Sequence, residues 1–178
     1  MTSPKFDRPG KDEYQPYYET YVAKVPAADL VGGLTAQIGE VMTLLRPLTD
    51  DQARSAYAPG KWTIKEVVGH LIDTERVMSY RAMSFARGDA TPLPGFDEKA
   101  WTPAGQFNQR ALGGLIDEWV AVRSATIAFF SGLPVDSVGR RGLANGNEVS
   151  VRGLAYIISG HTLHHAGILK ERYLTPAP

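Results

Sequence analysis

The chain has 178 residues, and its 19 lysine and arginine residues balance its 19 aspartate and glutamate residues. This length predicts one domain with a sizeable core, and the balanced charge argues against nucleic acid or an anionic membrane as a partner. Because the chain has no cysteine, disulfides, thiolate metal ligands and a cysteine nucleophile are excluded, so any thiol chemistry would need an external thiol.

Residues 1–26 form an N-terminal extension rich in proline, tyrosine and charge. It lacks the apolar stretch of a signal peptide, and no segment of the chain approaches the ~20 apolar residues of a membrane span. We therefore expect a cytoplasmic protein. The apolar rings of four tyrosines predict that the extension packs on the body of the domain, which we expect at residues 27–174. These tyrosines are Tyr14, Tyr17, Tyr18 and Tyr21.

The first two long helices are predicted from their apolar periodicity and their start signals. In residues 27–46, apolar side chains recur every three or four positions, as on one buried helix face. The second helix has the clearest start in the chain, because Thr63 and Glu66 have the spacing of a capping box. This helix is predicted to run over residues 63–87, with His70 at the edge of its apolar face.

A long connection separates the second helix from the third. Residues 88–107 contain three prolines and no sustained period, which is typical of a functional loop or of a crossover at the end of a bundle. Further helices are predicted at residues 109–133 and 150–173, the last one capped by Ser150. Strand signals are scarce, so the sequence predicts an all-α fold: a four-helix bundle in which the long crossover lets helices two and three run parallel.

Three of the four histidines lie on the last predicted helix. His161 and His165 stand about 40° apart inside its apolar arc, while His164 falls at the edge. A spacing of four residues lets two imidazoles bind one ion, and His70 is the histidine left to provide a third ligand. Thr162 follows His161, so this is not the zincin motif. Two interpretations stay open: a catalytic metal site with open positions, or a hydrogen-bonded polar network in the core.

Other polar residues on these helices give weaker signals. His164 is expected in a supporting or surface position, and Asp73 could orient an imidazole or a bound water, although a solvated carboxylate is the commoner role. Arg81 could hold an anionic substrate group at the cavity mouth, but a surface salt bridge is the commoner outcome. The chain has no P-loop, no dinucleotide-binding glycine pattern and no nucleophile elbow.

Two segments that carry these histidines resemble the DinB-like proteins, also called the DinB/YfiT superfamily. They are KWTIKEVVGHLIDTE at 61–75 and SGHTLHHAGILKERY at 159–173, and the segment at 80–98 is similar to one subgroup. The resemblance extends from about residue 14 onward. It implies a four-helix bundle in up-down-down-up order. It also implies a divalent metal, zinc or nickel, bound by His70, His161 and His165.

The resemblance implies several kinds of activity. Some members look like S-transferases or isomerases that use a low-molecular-weight thiol, and others are called metal-dependent hydrolases. We therefore expect a small-molecule substrate and a metal that activates a small thiol or water, with Asp73 and His164 as candidate proton relays. The alternative is a non-catalytic stress-response or binding module whose metal or histidine network is structural. A homodimer is also expected, because bundles of this kind often pair through helix faces.

Overall fold

The computed structural model describes residues 5–26 and 29–174. Residues 27 and 28, where the first long helix is predicted to begin, lie outside the described residues. Within the described ranges the α-helices are α1 (Glu19–Val22), α2 (Leu30–Leu45), α3 (Asp50–Ala53), α4 (Ile64–Ala86), α5 (Glu98–Ala104), α6 (Leu112–Ser131) and α7 (Val151–Ile168). Two antiparallel strands precede the last helix, β1 (Arg141–Ala144) and β2 (Asn147–Ser150). Single turns of other helix types lie at Lys11–Glu13, Pro16–Tyr18, Phe107–Gln109, Val135–Ser137 and Leu169–Tyr173.

Helices α2, α4, α6 and α7 form a four-helix bundle, in which α4 packs against both α6 and α7, as does α2. Helices α4 and α6 are parallel, because contacts join equivalent levels of the two helices. Near their starts, Lys65 Nζ donates to the carbonyl of Arg110 over 2.6 Å, and halfway along, the hydroxyls of Ser79 and Thr126 are 3.0 Å apart. The long link between residues 87 and 111 therefore returns the chain to the end where α4 began.

The other two pairings fix the remaining helix directions. The hydroxyl of Tyr173, just beyond α7, donates to the carbonyl of Trp62, just before α4, over 2.6 Å, so α4 and α7 are antiparallel. Arg46 at the end of α2 pairs with Asp117 near the start of α6 at 3.0 Å, so these two helices are also antiparallel. The order is up-down-down-up, and the predicted all-α four-helix bundle with a long second crossover is confirmed.

The β-hairpin ties the crossover to the bundle. Asn145 and Gly146 adopt φ values of 50° and 73° at its tip, as a tight hairpin turn requires. An Asn-Gly pair is itself a sequence signal for such a turn, whereas no periodic pattern predicts the two strands of four residues around it. The backbone of Leu93 in the crossover pairs with the hairpin through bonds of 2.9 and 3.0 Å to Leu143 and Asn145.

The N-terminal segment, residues 5–26, lies against α7. An added Cβ at Gly160 would stand 2.1 Å from the carbonyl oxygen of Tyr21, so only glycine permits this approach. Glu13 pairs with Arg152 on the same helix at 2.5 Å. Because this segment covers its outer side, α7 is buried at every position from Gly153 to Thr162, which is more than the single apolar arc of a helical wheel predicts.

The core has two apolar halves with a polar layer between them. One half lies towards the hairpin and includes Leu34, Phe85, Phe130 and Tyr156. The other half lies towards the opposite end and includes Leu45, Leu71, Leu115 and Trp119. Buried polar side chains at intermediate levels form the layer: Gln37, His70, Thr74, Glu75, Arg123, Ser159, His161, Thr162 and His165. In the part of the chain that is described, no helix is long and apolar enough to cross a membrane.

Candidate metal centre

The structure brings three histidines together in the polar layer. His70 comes from α4, and His161 and His165 come from successive turns of α7. Their ring centroids are 4.6 to 5.0 Å apart, and one ring nitrogen from each lies within 4.8 Å of the others. All three side chains are buried, so the three imidazoles face one another within the core.

The hydrogen bonds within this histidine triad are incomplete. The Nε2 atoms of His70 and His161 are 2.9 Å apart, and Thr74 Oγ1 lies 3.4 Å from His70 Nδ1. His165 Nδ1 is buried and has no hydrogen-bond partner among the described residues. Buried polar atoms without a partner are rare in folded proteins, and each one calls for an explanation such as an ion.

Burial keeps the three imidazoles neutral. It lowers the pKa of His70 to about 4, with a smaller effect from the charge of His164. It lowers the pKa of His165 to about 3, with further effects from His70 and His164. Burial also lowers the pKa of His161 well below its usual value. Since the neutral ring is the form that binds metal ions, no proton has to leave near pH 7.

The triad fits a divalent metal ion. Imidazole nitrogens bound at about 2.0–2.1 Å to one tetrahedral zinc ion stand roughly 3.3 Å apart. The nitrogen separations here start at 2.9 Å and do not exceed 4.8 Å, so small side-chain movements would give that spacing. A set of three neutral nitrogen ligands suits zinc and nickel and leaves coordination positions open.

Aromatic rings enclose the triad. Trp62, before α4, lies with its ring centroid 4.8 Å from that of His70. Tyr21 of the N-terminal segment packs edge-on against both His161 and His164, at 5.3 Å in each case. The sequence gives Trp62 only the signal of a hydrophobic residue before a helix cap, and it gives no signal that would pair Tyr21 with the histidines.

Two cavities reach the triad from different sides. One of about 110 Å³ is bordered by His161 and by side chains of the N-terminal segment and α4. The other, of about 450 Å³, is bordered by His165, and its wall includes Trp62, Tyr57 and Tyr173 with two lysines. A group bound at the triad could therefore be approached from two directions.

The remaining predicted site residues lie around this centre. His164 is half-buried beside His165, with ring centroids 5.1 Å apart. Asp73 is also half-buried; burial raises its pKa, with smaller effects from the charges of Arg76, Glu118 and Arg110. No described hydrogen bond joins Asp73 to an imidazole, and the contact with His70 Nδ1 comes from Thr74 instead, which the sequence does not single out.

Arg81 does not form the surface salt bridge that is the commoner role for such an arginine. Its side chain is buried, and its guanidinium donates to the carbonyl of Pro94 over 2.7 Å. It also lies over the ring of Phe96, 5.8 Å from the centroid. The crossover, which carries Pro94 and Phe96, covers this part of α4 and removes Arg81 from water. The guanidinium borders the same cavity as His161.

A second polar cluster, centred on Arg123, adjoins the triad in the polar layer. Arg123 is 0% exposed and forms two bonds of 2.8 Å to the carboxylate of Glu75. It also donates to Gln37 Oε1 over 2.6 Å and to Thr162 Oγ1 over 2.7 Å. Gln37 in turn donates to Ser159 Oγ over 2.9 Å. This Arg123 cluster joins all four bundle helices and leaves no charge unpaired.

The fold and the triad together define a four-helix-bundle protein with a candidate metal centre. Residues 34–169 match the family model of the DinB superfamily. That match covers most of the chain, so the chain belongs to the DinB superfamily. The family resemblance noted in the sequence is confirmed.

Two relatives share parts of the sequence. A protein of Oceanobacillus iheyensis, provisionally named a metal-dependent hydrolase, is 31% identical over 68 residues, which are 38% of this chain and 37% of the relative. YfiT of Bacillus subtilis, with the same provisional name, is 38% identical over 56 residues, which are 31% of each chain. The matched stretches thus span about a third of the length of each relative.

Two solved structures share the fold. The YfiT structure from Bacillus subtilis, described as a probable metal-dependent hydrolase with an unusual four-helix bundle topology, superimposes with a TM-score of 0.72 at 18% identity and covers 89% of this chain and 91% of that one. A mycothiol-dependent maleylpyruvate isomerase gives a TM-score of 0.68 at 11% identity, covering 88% of this chain and 64% of that one. At such identities the likeness concerns the fold alone.

Proposed function

We propose that this protein is a metal-dependent enzyme in which His70, His161 and His165 hold a divalent ion, zinc or nickel. The observation that carries the proposal is the buried triad itself, whose candidate ligand atoms lie within 4.8 Å of one another while His165 Nδ1 has no partner. The provisional names of the sequence relatives, both metal-dependent hydrolases, support the same class of activity.

The bound ion would supply a Lewis acid that lowers the pKa of a bound water or deprotonates a bound thiol. The surrounding side chains of this chain hold the ligands and exclude solvent. Thr74 lies against His70 Nδ1, where it orients the ring and leaves Nε2 directed at the other histidines. Trp62 and Tyr21 cover the outer sides of His70 and His161, which keeps water from the ligands except through the two cavities.

The activated group in this proposal is a small thiol or water, giving a thiol S-transferase or a hydrolase. The chain has no cysteine, so a thiol would enter as a separate small molecule. A solved structure of the same fold is a mycothiol-dependent isomerase, which supports an external thiol. Two cavities, one bordered by His161 and the other by His165, give room for two reactants.

We propose His164 and Asp73 as candidates for moving a proton in this reaction. His164 is the better placed of the two, because its ring contacts that of His165 and is half-buried rather than enclosed. Asp73 lies on the same helix as His70, but the charges that act on it belong to Arg76 on α4, Glu118 on α6 and Arg110 just before α6. A proton acceptor has to come within hydrogen-bond reach of the reacting group, directly or through one water.

Elemental analysis of the protein purified without a histidine tag tests the metal site. We expect about one zinc or nickel ion per chain in the wild type and none in a His161→Ala, His165→Ala variant. His164→Ala is the matched control on the same helix, and it should keep its metal. A folded wild type that contains no metal and takes up neither zinc nor nickel would contradict the site.

Activity is tested separately from metal binding. The metal-loaded protein should act on a panel of small thiols with electrophilic acceptors, or on esters and amides, and the His161→Ala, His165→Ala variant should not.

The proposed homodimer stays a prediction that light scattering can check.

A structural role for the histidines is the second candidate function. The 2.9 Å contact between His70 and His161 favours it, because one neutral ring can donate to the other without any ion. In that case, replacing the histidines would lower thermal stability, and adding metal would change neither stability nor activity.

A further inference from the structure

Arg81 is a buried cation without a buried anion beside it. Its side chain is 4% exposed, and within residues 5–26 and 29–174 it takes part in no ion pair. Its described bonds go to the carbonyl of Pro94, at 2.7 Å, and to the sulfur of Met78, at 3.6 Å, and it also interacts with the neutral phenol of Tyr18. A buried charge is costly unless an opposite charge compensates it, so this guanidinium calls for a partner that the chain does not provide.

The cavity beside Arg81 can hold a small molecule. It measures about 110 Å³, whereas a single water needs only about 10–15 Å³ measured in the same way. His161 borders the same cavity, so a molecule bound to Arg81 extends towards the triad. Polar groups complete the wall, among them the side chains of Tyr17, Tyr18, Tyr21, Thr74 and Asn145.

The charges around this cavity favour a ligand with one negative charge. Arg81 contributes one positive charge inside, and the exposed Glu98 contributes a negative charge at the edge. A carboxylate matches the single charge of a guanidinium and accepts two parallel hydrogen bonds from its planar fork. A phosphate dianion would keep uncompensated charge close to Glu98, which disfavours it.

Guanidinium geometry leaves donors for such a ligand. Arginine has five N–H donors; the described bonds from Nη1 and Nη2 go to Met78 and Pro94, and Tyr18 is a third partner, so donors remain for a ligand. Those bonds, with the ring of Phe96 under the guanidinium, hold the side chain in place before any ligand arrives. A positioned donor costs less conformational entropy on binding than a free one.

We propose that the cavity between Arg81 and His161 is a subsite for a small carboxylate-bearing molecule, whose carboxylate binds Arg81. That this molecule is a substrate rests on the proposed metal-dependent function, whereas its binding to Arg81 does not. If the molecule is the substrate, its carboxylate lies at the Arg81 side of the cavity and its reacting group at the His161 side.

Calorimetric titration with propionate and succinate tests the subsite, with propionamide as the uncharged control. Because carboxylates can also bind a metal ion directly, the titrations are made on both the metal-free and the metal-loaded protein. We expect saturable binding of the acids to both forms and no binding of the amide. Arg81→Gln should weaken the binding at least about tenfold, since a hydrogen-bonded charge is lost. The affinity of Arg81→Lys should lie between those of the wild type and Arg81→Gln.

Glu98→Gln is the matched variant that keeps Arg81. It should tighten carboxylate binding by about two- to fivefold, because it removes a like charge from the edge of the cavity. If the wild type binds no acid at millimolar concentration while Glu98→Gln does, Glu98 fills the subsite itself and the proposal is overturned. Binding that Arg81→Gln leaves unchanged, or phosphate binding tighter than that of propionate, also overturns it.

The same samples separate this inference from the proposed function. Arg81-dependent binding of propionate to a protein that takes up no metal supports the subsite and contradicts the metal centre. A metal-loaded protein that binds no carboxylate at Arg81 supports the metal centre and contradicts the subsite. Circular dichroism of each variant establishes that the comparison is made between folded proteins.

Discussion

The histidine triad and the Arg123 cluster lie side by side in the polar layer, yet they differ in how completely their groups are paired. Arg123 is held by Glu75, Gln37 and Thr162 at 2.6 to 2.8 Å. The triad has one close contact, one long one and an unpaired nitrogen, with a cavity on each of two sides. A completed polar network stabilises a fold, whereas each unsatisfied polar group in an incomplete one calls for an explanation, and a ligand is one such explanation.

The Arg123 cluster also adjoins one unpaired polar group, the indole nitrogen of Trp119. Trp119 packs under the guanidinium, 5.0 Å from its ring centroid, and its indole Nε1 is buried without a described hydrogen-bond partner. The ring contributes a cation–π contact to the cluster. No cavity that we describe is lined by Trp119, so its unpaired nitrogen does not indicate a ligand site.

Arg123→Met should have the largest effect on stability. It leaves the carboxylate of Glu75 buried without its partner, and removing one member of a buried ion pair costs about 3–5 kcal/mol. We expect the free energy of unfolding of the metal-free protein to fall by that amount in urea titrations.

His165→Leu is the comparison for this variant within the triad. It removes an unpaired buried nitrogen and keeps an apolar side chain of similar size, so the free energy of unfolding of the metal-free protein should change by less than about 1 kcal/mol. A loss as large as that of Arg123→Met would mean that the triad is as structural as the Arg123 cluster.

The stability of the metal-free protein should also depend on pH. A histidine in the unfolded chain titrates near pH 6.5, whereas burial lowers the pKa of His70 to about 4 and that of His165 to about 3. As the pH falls from about 6.5 towards 4, the unfolded chain binds more protons, so stability decreases by up to about 1.4 kcal/mol per pH unit for each histidine.

Urea titrations between about pH 7 and pH 5 measure this dependence. The His165→Leu variant should show a shallower slope because one buried histidine is gone. A wild type whose stability stays constant over this range would show that the imidazoles are protonated or hydrated in the folded state.

Thr74→Val should change the affinity for the metal and leave the stability of the metal-free protein nearly unchanged. Residues that orient a metal-binding histidine typically change metal affinity by about 10- to 100-fold, and the 3.4 Å separation here indicates the lower end of that range. Competition with a chelator would measure it. Thr126→Val is the control, since the hydroxyl of Thr126 contacts Ser79 and the Val122 carbonyl rather than a histidine; equal losses in both variants would remove the role of Thr74.

The bundle could be predicted from the sequence because its helices carry strong local signals. The capping box of Thr63 and Glu66 is present as predicted, and α4 begins at the next residue. Helix α7 begins directly after the predicted cap Ser150 and ends its regular turns at Ile168, where a π-helical turn takes over. Periodicity and caps act over a few residues, so a single sequence contains them in full.

Contacts between distant segments could not be predicted in the same way. Nothing local pairs Tyr21 with His161, since the contact depends on how the N-terminal segment crosses Gly160. Arg81 is buried by the crossover, which has no periodic pattern that would place it. The triad itself joins residues 91 positions apart. The sequence grouped them because His70 is the one histidine outside the last helix, and the family resemblance implied the same three residues.

The Arg123 cluster also sets the alignment of the helices along their length. If α6 slid by one turn, about 5.4 Å, Arg123 would leave Glu75 and Gln37 and enter an apolar half of the core. Thr162, which holds Arg123 at 2.7 Å, follows His161 directly in the chain. The ion pair between Arg123 and Glu75 therefore fixes the positions of the helices along the bundle axis. The level at which His161 meets His70 is thus set by residues that do not contact an imidazole.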